Sequence, residues 1–321
     1  MRSVAFSPDG DCVASGSTDK AVKLWCLRSR QERATLLGHS KSVWCVAFSP
    51  DGACLASCSM DSTVKLWSVQ QLTEIATLRG HTNQVWQAAF SPDGKLLASC
   101  GGDNTIALWD THTKQQVRKL QGHVTDVNAV AFSPDGRYLA SGSDDRTVAL
   151  WSVADCAQRA IFRGHTDVVI SLAFSPNGKY LASGSLDKTA KVWHVERLEE
   201  VDTFKSNSSM VTSVAFSPDG ALLAYTSEGN NITLLRIEEL GEGGGHQFHE
   251  QERIKCANRR IFPITYSPDG NALVYCNETS ELKLRSAQDG FSKTQSVAHA
   301  TRVDVAAISP DNKYLAIGTA N

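Results

Sequence analysis

The stretch VWCVAFSPDGACLASCSMD, residues 43–61, sets two apolar runs on either side of a Ser-Pro-Asp-Gly turn. This turn recurs along the chain with small variations. It begins at Ser7, Ser49, Ser91, Ser133, Ser175, Ser217, Ser267 and Ser309. The step is 42 residues except between Ser217 and Ser267, where it is 50. A fixed period of this length indicates supersecondary units that bury their apolar faces only by stacking on one another.

One copy, residues 39–80, predicts four short strands. β-Branched, aromatic and small apolar residues fill four runs, and Pro-Asp-Gly (50–52) and Asp-Ser (61–62) supply tight turns between them. No window carries a sustained helical apolar period, so we expect no long helix. The first two strands are apolar or small on both faces and need a neighbouring sheet on each side. Blades arranged around an axis satisfy this need and leave only short edges.

These residues resemble the WD40 repeat. Gly38-His39, the Ser-Pro-Asp-Gly turn, the Leu-Ala-Ser run and Trp67 at the end of the third strand match the family at its spacing. The resemblance covers the whole chain and implies an all-β WD40 β-propeller with seven complete four-stranded repeats and a partial eighth that has its first two strands only. We expect a single domain, 1–321, with repeats at about 1–38, 39–80, 81–122, 123–164, 165–206, 207–256, 257–298 and 299–321.

The two ends affect how the ring is completed. The WD40 family usually closes with a blade shared between the chain ends. Nothing precedes the first strand of copy one, and copy eight stops after its second strand, so we expect that closure to be unavailable and the chain to be a fragment or a clipped gene model. Two arrangements remain open: seven blades with a leftover hairpin, or an open or incomplete eight-position ring. Burial of Ile308 and Leu315 favours the second.

Composition narrows the function classes. The chain has 321 residues, 41% hydrophobic and 21% charged, with a net charge of −2, which is typical of a soluble globular protein. This charge does not favour nucleic acid or membrane partners. Without a signal sequence or transmembrane run, we expect a protein that is cytoplasmic, with a nuclear location also open, and not secreted. The nine cysteines, such as Cys58 and Cys100, are expected at small buried positions and not in disulfides or a zinc site.

Copies two to five each contain the residue types of a hydrolase catalytic triad. Ser-His-Asp occurs in each copy together with a Trp, but an active site occurs once per domain. The family resemblance instead implies a buried hydrogen-bond network, in which Asp holds His and His meets Ser and Trp. We therefore expect no enzyme, no metal and no cofactor, and the pair His246 and His249 is too isolated for a metal site. The network residues are His39, Ser57, Asp61, Trp67, His81, Ser99, Asp103, Trp109, His123, Ser141, Asp145, Trp151, His165, Ser183, Asp187 and Trp193.

Partner binding is expected at positions that vary between copies at one fixed address. That position, called the rim address below, lies five residues before each turn serine, on the rim of the central channel. Residues just before the Asp of the next turn are expected on the same rim. The predicted partner-binding residues are Trp44, Trp86, Met60, Asn128, Asp144, Phe262 and Asp304. Packing between blades is the alternative for the two indoles. As a binding pair they could clamp an Arg or Lys side chain by cation–π contact or hold an apolar anchor, and the carboxylates of Asp144, Glu228, Glu278 and Asp304 favour a basic peptide.

The sequence therefore predicts a non-catalytic protein–protein interaction scaffold whose partners are proteins or peptides, in a multiprotein complex or a larger chain. The alternative is a C-terminal sensor or regulatory propeller of a larger signalling protein such as a nucleotide-switch ATPase; a propeller enzyme is least favoured. Copies six and seven lack the network residues and are expected to be less regular. The Gly-rich stretch 240–246 predicts a mobile loop in copy six, and deletion of residues 242–250 is expected to be tolerated.

Overall fold

The computed structural model describes residues 1–206, 210–227, 231–239, 246–255, 264–276, 281–286, 294–298 and 303–319. Within these ranges the chain forms seven four-stranded antiparallel sheets and one two-stranded sheet, each built from strands that are consecutive in the chain. The predicted architecture of seven complete repeats and a partial eighth is confirmed. All the regular elements of the described part are strands, and among these residues there is no helix that could cross a membrane.

The strands are numbered in chain order, four to each sheet and two in the eighth. They are β1 Ser3–Phe6, β2 Cys12–Gly16, β3 Val22–Cys26, β4 Gln31–Leu36; β5 Val43–Phe48, β6 Cys54–Ser59, β7 Thr63–Ser68, β8 Thr73–Arg79; β9 Val85–Phe90, β10 Leu96–Gly101, β11 Thr105–Asp110, β12 Gln116–Gln121; β13 Val127–Phe132, β14 Tyr138–Ser143, β15 Val148–Ser152, β16 Ala157–Phe162; β17 Val169–Phe174, β18 Tyr180–Ser185, β19 Thr189–His194, β20 Glu199–Lys205; β21 Val211–Phe216, β22 Leu222–Ser227, β23 Asn231–Glu239, β24 His246–Lys255; β25 Thr265–Tyr266, β26 Ala272–Cys276, β27 Glu281–Ser286, β28 Thr294–Ala298; and β29 Val303–Ile308, β30 Leu315–Thr319.

The Ser-Pro-Asp-Gly turn joins the first two strands of each sheet and also links neighbouring sheets. In the second sheet, the amide of Cys54 donates to Ser49 Oγ (3.0 Å) and Gly52 has a φ of 71°, a conformation that favours glycine. A Cβ added to Gly52 would lie 3.4 Å from Cδ of Pro8 in the preceding turn. The same proline–glycine contact recurs at the following turns, so the repeated motif is also a joint between sheets.

The eighth sheet lies between the seventh and the first. Strand β29 contacts β25 and β26 on one side and β1 on the other. A Cβ on Gly10 would lie 3.5 Å from Cδ of Pro310, which is the same joint that connects consecutive sheets elsewhere. Ile308 and Leu315 pack against buried Val274 of the seventh sheet. These contacts place copy eight at an eighth position and do not match the arrangement of seven blades with a leftover hairpin.

A chain of hydrogen bonds runs through the interior of the second sheet. Trp67 Nε1 donates to Ser57 Oγ (2.8 Å), Ser57 Oγ lies 2.7 Å from His39 Nε2, and His39 Nδ1 lies 2.8 Å from Asp61 Oδ2. Because the Asp61 carboxylate can only accept, the imidazole carries its proton on Nδ1. Burial lowers the pKa of His39 and favours the neutral ring, so Nε2 accepts the proton of the serine hydroxyl. Each polar group in this series of hydrogen bonds is therefore buried and has a partner.

The third, fourth and fifth sheets repeat this chain with nearly the same distances. The His–Asp separations are 2.9, 2.8 and 2.8 Å, and each of the three indoles donates to its serine at 2.8 Å. In the third and fourth sheets the indole lies against the glycine that precedes the histidine: a Cβ on Gly80 would be 2.9 Å from Trp109 Cη2, and one on Gly122 would be 2.8 Å from Trp151 Cη2. The four serines are 0% exposed, so a substrate has no access to them, and the four triads support the framework.

A second set of links, which was not predicted from the sequence, joins the first strands of neighbouring sheets. Side chains one position beyond the predicted rim address accept a backbone N–H from the next sheet. Ser3 Oγ accepts from Val46 (3.1 Å), and Gln87 Oε1 accepts from Val130 (2.8 Å). Ser171 and Ser213 repeat the bond in the fifth and sixth sheets. A polar residue recurring directly after the rim address was the available signal for these links.

Residues 246–250, which belong to the segment whose deletion was expected to be tolerated, form a strand and not a loop. Strands β23 and β24 pair from Asn231 opposite Lys255 to Glu239 opposite His246, so the extra residues lengthen a hairpin. Phe248 is 6% exposed, and its ring packs on Tyr180 (5.7 Å) and Phe204 (5.9 Å) of the fifth sheet. Alternating inward positions of a long hairpin thus add to the core. The predicted loop residues 240–245 lie outside the described residues.

Replacement of Asp103 by Ala should destabilise the fold. The change leaves the buried His81 imidazole without its acceptor at 2.9 Å and removes the partner of Lys119 Nζ at 3.0 Å. We expect a loss of about 1–3 kcal/mol in the free energy of unfolding, measured by urea denaturation. Asp19→Ala is the matched control, because Asp19 is exposed and bonds no histidine among the described residues; an equal loss in both variants would contradict the role of the network.

Stability should fall in acid as the network aspartates are protonated. Burial by itself would raise the pKa of Asp61, but hydrogen bonds from Thr63, the Ser40 amide and His39 outweigh it and lower the pKa to about 2. A carboxyl whose folded pKa lies below its unfolded pKa stabilises the fold above the unfolded value, and that contribution disappears as the pH falls through the folded one. Between about pH 4 and pH 2, the unfolding free energy of Asp61→Asn should therefore depend less on pH than that of the wild type. Parallel slopes would contradict this assignment.

Phe248→Ala should destabilise the protein by about 3 kcal/mol, because it opens a cavity between the sixth-sheet hairpin and the fifth sheet. Urea denaturation measures the effect, and Gln247→Ala, at an exposed neighbouring position, is the control. A Phe248 variant as stable as the Gln247 variant would restore the view that this segment is dispensable.

Candidate protein-interaction site

The predicted rim address is a β-bulge in most sheets. In the second sheet, Val43 pairs with Ser59 and Cys45 pairs with Cys58, which leaves Trp44 as the extra residue. The pairing skips Trp86, Asn128, Ile170, Thr212 and Asp304 in the same way. A bulge re-aims the side chain of its extra residue and is common beside functional sites. The recurring bulge therefore explains why this address varies while its neighbours conform to the repeat.

Trp44 and Trp86 contact each other across the second and third sheets. Their ring centroids are 5.2 Å apart and the rings cross at 87°, an edge-to-face arrangement. Rings in direct contact leave no gap between them, so a cation or an apolar anchor of a partner would have to rest on their outer faces, and the predicted clamp on an Arg or Lys side chain stays a prediction. The cation that does lie on a ring face is the chain's own: Arg2 Cζ is 4.5 Å from the centroid of Trp44. The continuous surface Arg2–Trp44–Trp86 is called the indole ridge below.

The indoles of the ridge differ from the framework indoles in their hydrogen bonding. The framework indoles of Trp25, Trp67, Trp109, Trp151 and Trp193 each donate to a serine. Among the described residues, the Nε1 atoms of Trp44 and Trp86 are buried and have no acceptor. An unsatisfied buried donor costs about 1–3 kcal/mol. Packing alone would be served better by Phe, which fills similar space without a donor.

The fourth sheet continues the rim with polar groups. Asn128 Nδ2 donates to Asp144 Oδ1 (2.7 Å) and to the Val169 carbonyl of the fifth sheet (3.2 Å). Asp144 is exposed, and Asp126 and Asp167 stand on neighbouring loops of the same end of the sheets. Within the described ranges, these three carboxylates have no ion pair with Lys or Arg. The rim therefore changes from a cationic and aromatic surface to an acidic one between the first and fifth sheets.

The remaining predicted rim residues are only partly placed. Met60 is half-buried at the turn after β6, where its amide donates to the Ser42 carbonyl (3.0 Å). Phe262, Glu228 and Glu278 lie outside the described residues, and Asp304 is described only as the bulge position of β29. Four carboxylates were expected to favour a basic peptide, and of these the described residues include the side chain of Asp144 but not those of the other three. Asp126 and Asp167 were not predicted as rim residues, although they lie three residues after His123 and two residues after His165.

The described residues contain no group of three or more His, Cys, Asp and Glu side chains arranged to hold a metal ion. His249 instead lies 3.9 Å from the Glu238 carboxylate across the long hairpin. The rim offers aromatic faces, a guanidinium and carboxylates, which are groups that bind other chains non-covalently.

Comparison with known proteins agrees with this architecture. The family described as "IFT122 first beta-propeller" matches residues 101–321, and the family described as "WD domain, G-beta repeat" matches residues 1–26, 30–68 and 72–110. Transducin beta-like protein 3 from Bos taurus is 41% identical over 46 residues, which are 14% of this chain and 6% of that protein. The chain thus aligns with a small part of this curated relative. Because the first of these families accounts for well over half of the chain and WD40 repeats account for the rest, the chain belongs to the IFT122 first beta-propeller family of WD40-repeat proteins.

Proposed function

We propose that the protein is a non-catalytic interaction scaffold that binds a protein or peptide segment through the indole ridge and the acidic rim beside it. WD40 propellers generally bind other proteins, which gives the class of function. The observation that carries the assignment of the site is the pair of buried, unpartnered indole donors on Trp44 and Trp86. An unpaired buried N–H group lowers the stability of the fold, and the framework indoles avoid it. Its presence on two adjacent sheets therefore points to a role other than packing.

The acidic rim indicates the chemistry of the partner. Asp126, Asp144 and Asp167 face solvent without basic partners in the described part of the chain, so a segment with Lys or Arg residues would gain ion pairs there. Apolar or aromatic residues of the same segment would rest on the indole ridge, where large rigid side chains act as anchors. Arg2 covers one face of Trp44, so a partner reaches that face only by displacing Arg2 or by packing over it.

The double variant Trp44→Phe/Trp86→Phe tests the site. Phenylalanine keeps most of the ring contact and removes both unsatisfied donors, so we expect a melting temperature that is unchanged or higher. Partners captured by the wild-type protein from a cell extract should be depleted, and the Kd of a purified partner should rise at least about tenfold, roughly 1.4 kcal/mol. Trp109→Phe, which breaks the indole–serine bond of 2.8 Å, should lower the melting temperature.

His112→Ala is the matched control for binding, because this exposed residue lies at the opposite ends of the strands. Normal capture by the double Phe variant, or a loss of its stability, would remove the indoles from the binding site. Asp126→Asn/Asp144→Asn separates the two halves of the proposal: weaker and less salt-dependent binding is expected if the partner is basic. Capture unaffected by any rim variant would place the interaction surface elsewhere on the protein.

A further inference from the structure

Two cysteines stand opposite each other directly beneath the bulge that carries Trp44. Cys45 on β5 and Cys58 on β6 are paired in the antiparallel register. Opposed residues in such a pair have Cα atoms about 4.5 or 5.5 Å apart, which is within the range of about 4.4–6.8 Å that a disulfide spans. Side chains of opposed residues also project on the same face of the sheet. The backbone therefore permits a bond between these two sulfurs without rearrangement.

The side chains of this pair converge at the joint between the second and third sheets. The Cys45 thiol donates to the Ala88 carbonyl at 3.8 Å, and Cys58 packs in one apolar cluster with Val85 and Ala88. Cys45 itself packs against this cluster. They are thus neighbours in space as well as in register.

A second pair in the chain provides a comparison. Cys12 and Cys26 are also opposed, on β2 and β3. The Cys12 sulfur has a separate partner, however, because Arg33 donates to it at 3.4 Å. Register is therefore not the only requirement, and the apolar cluster that Cys45 and Cys58 share distinguishes the second sheet.

We propose that Cys45 and Cys58 are a reversible oxidation site that forms a cross-strand disulfide when the protein meets a hydroperoxide. Cys45 attacks the O–O bond as thiolate and becomes a sulfenic acid, releasing hydroxide when the oxidant is hydrogen peroxide. The Cys58 sulfur then displaces the sulfenic oxygen, the S–S bond forms, and water leaves. The balance is two thiols and one hydrogen peroxide giving one disulfide and two waters.

The surroundings assign the two roles. Cys45 is partly exposed, whereas Cys58 is 0% exposed, so a small oxidant reaches Cys45 first. The hydrogen bond from Cys58 lowers the pKa of Cys45 even though burial opposes it, and burial raises the pKa of Cys58. The thiolate is the nucleophile in this chemistry, which matches Cys45 as the attacking group and Cys58 as the resolving thiol.

Peptide mapping of the intact, natively folded chain tests this proposal. Reduced protein is treated with hydrogen peroxide, free thiols are blocked with N-ethylmaleimide, and the protein is cut with trypsin and endoproteinase Asp-N. A Cys54→Ser background makes the mapping unique, because residues 42–50 then contain Cys45 and residues 51–60 contain Cys58. We expect these two peptides to be joined after oxidation and to separate again with dithiothreitol. Cys12 and Cys26 should remain open to alkylation.

In a Cys58→Ala variant, Cys45 should instead accumulate as a sulfenic acid that dimedone traps. The proposal fails if Cys45 and Cys58 both stay alkylated after peroxide treatment, if Cys12 and Cys26 link as readily, or if the 42–50 and 51–60 peptides join only in urea. Should Cys58→Ala fail to fold, the mapping in the Cys54→Ser protein still decides the matter.

Discussion

A serine hydroxyl with no solvent exposure, placed between an indole and an imidazole, organises each of the second to fifth sheets. In the second sheet, Ser57 accepts from Trp67 and donates to His39, so it fixes the third strand, the second strand and the preceding loop relative to one another. The carboxylate of Asp61 ends the chain and also accepts the amide of Ser40 (2.9 Å). Low dielectric strengthens such bonds and makes any unpaired member costly. The geometry of the rim loops follows from this, because the histidine and the aspartate belong to them.

The seven tryptophans of the chain illustrate how one residue type serves two purposes. Five have their N–H groups paired with serines and their edges against glycines or neighbouring strands. Two lie on bulges, contact each other and leave their donors unpaired. Residue type does not separate these groups, and burial separates them incompletely, because Trp25 is half-buried like Trp44 and Trp86. The hydrogen bonds of the indole N–H groups separate them fully. In a repeat protein, the hydrogen bonds of an unusual residue can thus be compared with those of framework residues of the same type.

The sequence period was sufficient to predict the sheets, their strand number and the partial eighth copy, because turn chemistry and strand alternation are local properties. The recurring His, Ser, Asp and Trp offsets also identified the buried network. The contact between Trp44 and Trp86 was not accessible from sequence, since a bulge turns a side chain by an angle that spacing does not encode. The long hairpin of the sixth sheet was missed because the polar segment HQFHEQERIK (246–255) has weak strand propensity. Packing of Phe248 on Tyr180 and Phe204 overrides that propensity.

The proline–glycine joint gives the assembly a direction. The prolines of the first six turns each contact the glycine of the next turn, and Pro310 contacts Gly10 in the same sense, whereas Asn312 holds the glycine position of the last turn. In a linear array of repeats, the terminal units have one neighbour and fray first. Here the seam between the eighth and first sheets is the place with the fewest strands, two against four. Spontaneous opening of the native state should therefore begin at that seam, and backbone amides of β1 and β29 should exchange with solvent sooner than those of the inner strands on the opposite side.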